Sequence, residues 1–213
     1  MLTNDELGTS LVSTINDKGA ADVLADAAEA ALDELMTDGV LKNVPIVGSL
    51  VKVAKAGFGI SDYIFLKKVA RFLYELRDVP EGDRHHFIGE MQTDEEHKRK
   101  VGEALVLLLD RMDDMSKPGL LARGFKAYLQ GRITYDVFRR VGFAVDTLFL
   151  GFIELIADPR RFSDMPQDVQ WNLASCGILA PAGMPASRSG VNFPSYTLTE
   201  FGTLFRDIVV LGR

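Results

Sequence analysis

The chain of 213 residues is 47% hydrophobic, 25% charged and 9% aromatic, with a formal net charge of −6. That balance excludes disordered and fibrous classes, and the length allows one large domain or a domain with a smaller appendage. A single cysteine, Cys176, excludes an internal disulfide framework and a cysteine-based zinc site, and it fits a reducing compartment. Residues 1–10 include Asp5 and Glu6 and lack the basic and apolar stretches of a secretory signal, so a cytoplasmic protein is expected. The charge-free run 169–187 contains Gln170, Asn172, Pro181 and Pro185, and the apolar run 44–64 is interrupted by Lys52, Lys55 and Asp62. Neither reads as a constitutive membrane span.

Residues 20–36 predict an amphipathic helix in which Asp22, Asp26, Glu29 and Asp33 form one acidic stripe. Residues 1–39 hold one basic and nine acidic side chains, and residues 40–79 seven basic and three acidic. The two segments are expected to lie against each other. After Pro45, the residues Val47, Leu50, Val51 and Ala54 repeat at helical spacing until Gly57 and Gly59 interrupt them. With Ser61 as cap, a strong helix follows to Leu76, burying Phe65, Leu66, Val69, Phe72 and Leu73, with Lys67, Lys68, Arg71 and Arg77 outward. Lys52, Lys55, Lys67, Lys68 and Arg71 are the candidate interaction face for an anionic lipid surface, a nucleic acid or an acidic protein.

A short helix through His86 and Phe87 comes next. Thr93 to Glu96 read as a capping box for a helix to about Met112. Another helix spans residues 117–130 and is closed by Gly131. From Thr134 the apolar pattern predicts one long central helix to about Ala157. The remainder reads as a helix over 165–175, a left-handed stop at Gly177, a brief strand at Ile178-Leu179, a loop rich in Pro, Gly and Ser, a strand over 195–198, and a helix capped by Thr199.

The stretch Leu173-Ala174-Ser175-Cys176-Gly177-Ile178-Leu179, with Pro194-Ser195-Tyr196-Thr197-Leu198-Thr199-Glu200-Phe201-Gly202, resembles the end of a winged-helix module over about a quarter of the chain. The whole layout, with Pro45-Ile46-Val47-Gly48 early and Tyr196-Thr197-Leu198-Thr199 late, is weakly similar to bacterial abortive-infection alpha proteins, a group associated with phage defence. The winged-helix resemblance implies a docking or recognition surface at Gln167, Gln170, Asn172 and Arg188. Duplex DNA is disfavoured as its partner, because the candidate recognition helix has no basic residue and Asp158, Asp164 and Asp168 surround Arg160 and Arg161.

No catalytic, cofactor or metal signature is present. His85 and His86 point about 100° apart on a helix and do not chelate as a pair. Asp94-Glu95-Glu96-His97 is one carboxylate-to-histidine spacing without the second copy that a di-iron bundle needs. Cys176 reads as a buried structural thiol. Gly48, Gly57 and Gly59 fit no phosphate loop, and Asp110, Asp113 and Asp114 fit no calcium loop.

The expectation is therefore a mainly α protein, with a multi-helix bundle over residues 1–157 and a small winged-helix-like module with one β-hairpin over 158–213. Its expected function is that of a non-enzymatic interaction or regulatory protein in bacterial phage defence or a stress response, acting on a protein partner without cofactors. A winged-helix transcriptional regulator is the first alternative, and a membrane-active effector that rearranges residues 44–64 is the second. Self-association is left open.

Overall fold

The computed structural model describes residues 4–26, 43–53, 59–80, 82–84, 87, 89, 94–183 and 195–213. These form a mainly helical protein with one two-stranded antiparallel sheet, packed as two compact units, residues 1–135 and 136–213. The division falls after residue 135, so the apolar segment 136–157, which the sequence assigns to the bundle, packs with the C-terminal residues instead.

The first unit begins with a helix that the periodicity reading did not find, α1 (Asn4–Asn16), with Leu11, Val12 and Ile15 buried. It is followed by α2 (Lys18–Asp26), α3 (Pro45–Val53), α4 (Ile60–Leu76), α5 (Glu95–Arg111) and α6 (Lys117–Leu129). Helices α1 and α5 cross where Gly8 meets Gly102, and a Cβ on either would lie 2.6 Å from the other's backbone. Only glycine at both positions lets the two backbones approach that closely. Helix α3 starts with Pro45 at its first position, where the missing N–H is harmless, and its Ile46 N–H donates to Thr14 Oγ1 at 3.1 Å. Helix α4 packs against α2 and α6, with Phe72 and Phe125 rings 5.5 Å apart.

Two caps differ from expectation. The first position outside α4 is Gly59, whose N–H donates to the Asp62 carboxylate at 3.0 Å, while Ser61 lies within the helix. Helix α5 is capped by Asp94, which accepts the His97 N–H at 2.8 Å. A carboxylate there also faces the positive end of the helix dipole. Thr93, His85, His86, Glu29 and Asp33 lie outside the described residues.

The second unit opens with α7 (Tyr135–Thr147), which buries Phe138, Val141, Ala144 and Val145. The long helix expected to reach Ala157 stops here. Thr147 Oγ1 donates back to Phe143 O at 2.9 Å, Phe149 adopts an extended conformation, and its ring folds over Gly151. The chain restarts as a 3₁₀ turn and a short helix α8 (Ile153–Ala157). Apolar residues continue through the break, so periodicity alone does not reveal it.

Helix α9 (Gln167–Ser175) ends at Gly177, whose φ of +76° is the left-handed stop the sequence predicts. Strands β1 (Leu179–Gly183) and β2 (Ser195–Leu198) pair in the register Leu179 to Leu198 and Ala180 to Thr197. Thr199 caps α10 (Glu200–Phe205) by accepting the Gly202 N–H at 2.8 Å and donating to Gly177 O at 2.7 Å. A Cβ at Gly202 would overlap Ile178 O, so helix and hairpin meet backbone to backbone. The chain continues as a π-helical turn over Arg206–Val210.

Candidate functional site

The basic segment does not form the single outward face expected of it. Lys68 is 7% exposed, on the same side of α4 as Phe65 and Phe72, which precede and follow it by three and four positions. Its ammonium donates to Asp110 O at 2.7 Å, where the last carbonyls of α5 have no helical partner. Lys67 lies 4.6 Å over the Tyr63 ring, and Arg71 and Arg77 lie 5.4 and 3.7 Å over Tyr74. Arg77 also approaches Asp26 of α2 at 3.9 Å, one point where the acidic and basic segments meet. Lys52 belongs to α3, and Lys55 lies outside the described residues.

A second cation of this unit also caps helix ends. Arg84 is buried and donates to Ile15 O at the end of α1 and to Leu76 O and Val79 O at the end of α4. Burial pushes its guanidinium below the usual range while Asp22 opposes the shift, and the group stays charged. Lys117, also buried, pairs with Asp113 at 2.7 Å and holds that carboxyl below the ordinary carboxylate range.

A cleft of about 200 Å³ opens between α1, α3, α4 and α5, walled by Leu7, Leu50, Phe65, Val106 and Leu107, with Asp62 and Asp110 at its edge. Asp62 serves the α4 cap, and Ser61 adds a hydroxyl to the lining. His97 Nε2 lies 2.6 Å from Tyr128 Oη, and its ring packs edge-on to Tyr135. Among the described residues, no group of three His, Cys, Asp or Glu side chains is placed to hold a metal ion, and no helix is long and apolar enough to cross a membrane.

In the second unit the hairpin and its flanking helices bring the docking candidates onto α9, but not as equals. Gln170 turns inward, its Nε2 donating to Phe162 O at 3.1 Å and Met165 O at 2.9 Å, so its amide fixes the entry into α9. Asn172 is half-buried, with its Oδ1 enclosed and unmatched by a donor. Gln167 is half-exposed in the first turn, and Arg188 lies outside the described residues.

What α9 presents outward is Asp168, Trp171 and Ser175, a strip at i, i+3 and i+7, with Trp171 57% exposed. The sequence reading passed over Trp171. Its signal was available: Val169 and Leu173 mark the buried stripe, and Trp171, midway between them, falls on the opposite side at 100° per residue. Arg160, which precedes α9, forks onto Asp158 with N–O distances of 2.9 and 3.0 Å. Comparison of the chain with known protein families, with characterised proteins and with solved structures gives no match.

Proposed function

We propose that the protein is a non-enzymatic interaction and regulatory protein whose C-terminal unit docks a protein partner through the outer face of α9. The observation that carries this reading is Trp171, exposed at the centre of that face with Asp168 on one side and Ser175 on the other. An exposed tryptophan is the side chain most enriched at protein-binding hot spots, because it offers a large rigid surface to a partner pocket. A face built to read DNA requires cations against the phosphates, and α9 has a carboxylate there instead. The order helix, hairpin, helix supports a winged-helix-like module used for docking. The similarity to abortive-infection alpha proteins supports a role in bacterial phage defence or stress.

Capture of host proteins by the full chain and by Trp171→Ala, compared by mass spectrometry, tests the reading. A partner retained by the parent chain and lost with Trp171→Ala is expected. Titration of random duplex DNA at physiological salt is expected to give weak binding. Submicromolar affinity with a steep salt dependence would replace this reading with that of a DNA-binding regulator.

A further inference from the structure

Helix α7 has two sides of opposite character. Phe138, Val141, Ala144 and Val145 are buried, whereas Asp136, Arg139, Arg140, Phe143 and Thr147 are exposed. At 3.6 residues per turn, those five exposed positions fall within roughly 100° of the helix circumference. Phe143, 53% exposed, lies within that strip, with Arg140 on one flank and the half-exposed Asp146 on the other. Phe143 thus stands exposed between charges of opposite sign, and a surface that repeats the alternation in reverse would complement it.

We propose that this strip is the contact between two copies of the chain, α7 lying antiparallel on α7 of the second copy about a two-fold axis through Phe143. Such an axis exchanges both the ends of the strip and its flanks. Position 140, three residues before the centre, then meets position 146, three residues after it, and the exchange happens twice. Two Arg140–Asp146 pairs therefore flank a Phe143–Phe143 contact, and Arg139 faces Thr147. A parallel two-fold arrangement keeps each level facing itself and crosses only the flanks, which sets Arg140 beside Arg139 of the second copy, so the charges select the antiparallel one.

Arg140 is already fixed in place, its guanidinium 4.2 Å over the Phe201 ring and one of its nitrogens beside Gly177. The proposal is independent of the docking role of α9, none of whose residues takes part. A helix of 13 residues is about 20 Å long, and one such pair buries less than the ~1,200 Å² typical of a tight complex. The association is accordingly weak, with a dissociation constant on the order of 10 μM.

Sedimentation velocity of the full chain across the micromolar range tests this, with circular dichroism melts to show that each variant folds. The parent chain is expected to pass from monomer to dimer and to stop there, because a two-fold contact closes on itself. Phe143→Glu is expected to stay monomeric throughout. Arg140→Glu and Asp146→Arg should each weaken the dimer about tenfold, and the double reversal should bring it back. A parent chain that is monomeric throughout, a dimer indifferent to Phe143→Glu, assembly beyond two copies, or a double reversal no tighter than the single ones would each overturn the proposal. Phe143→Glu decides the matter alone if Arg140→Glu fails to fold after losing its stack on Phe201.

Discussion

In the first unit Arg84, Lys68 and Lys117 are buried at helix ends, whereas in the second unit Phe143, Phe149 and Trp171 are exposed by more than half. Among the described residues, no other aromatic side chain is exposed to that degree. Lys68 and Arg84 of the first unit thus satisfy carbonyls that α-helices leave without partners, and the second unit turns aromatic rings outward, where they are available to other molecules. The contrast shows why counting cations along a sequence misplaces an interaction surface: a lysine beside a helix end has an internal use that competes with any external one.

The comparison breaks most directly at Arg84. Arg84→Met keeps an apolar stem and removes three donors, leaving the Ile15, Leu76 and Val79 carbonyls without a charged partner. At roughly 1.5 kcal/mol for each of the three charge-assisted bonds, urea unfolding should show a loss of about 4.5 kcal/mol. A loss below about 1 kcal/mol would mean that the buried guanidinium does not organise the helix ends.

Among the described residues of the second unit no buried cation plays that part, and its weak point is the seam where Gly202 meets Ile178 O. Gly202→Ala should destabilise by about 3 kcal/mol, because the obstructing atom is backbone and cannot rotate away. Gly8→Ala tests the first unit in the same way at the α1–α5 crossing, with an expected loss of about 2 kcal/mol. If both are tolerated in thermal melts, the helices and hairpin do not approach as closely as described.

The smallest effect concerns pH. The Asp113 carboxyl, held low by Lys117, contributes stability that is present above the carboxylate's unfolded value and disappears as pH falls through its lower folded value. Urea midpoints measured from pH 7 down to the acid limb should therefore fall less steeply for Asp113→Asn than for the parent chain. Parallel curves would show that the pair adds nothing beyond solvent contact, the usual outcome for an ion pair with one exposed partner.

Much of the fold was legible wherever the signal is local. Thr199 as cap, Gly131 and Gly177 as stops, and the strand Ser195–Leu198 follow from side-chain oxygen, positive φ and turn chemistry within a few residues. Helix α1 was not legible, because Gly8, Thr9, Ser10 and Thr14 are poor helix formers and its stability comes from a partner 94 positions away, Gly102. The candidate site divides along the same line. That Lys68 and Gln170 face inward depends on carbonyls that are exposed only once the helices end where they do. Trp171 was readable from the Val169 and Leu173 spacing, but a search for basic and amide groups looks past an aromatic ring.

The chain contains one tryptophan, and it stands on the outer face of α9. Its indole is consequently a built-in reporter: when the unlabelled protein is excited at wavelengths that its five tyrosines do not absorb, the ultraviolet emission originates at a single solvent-facing position. Covering that ring shifts the emission to the blue and shields it from a soluble quencher such as iodide. Screening of candidate partners thus needs no dye, no tag and no substitution near the surface under study.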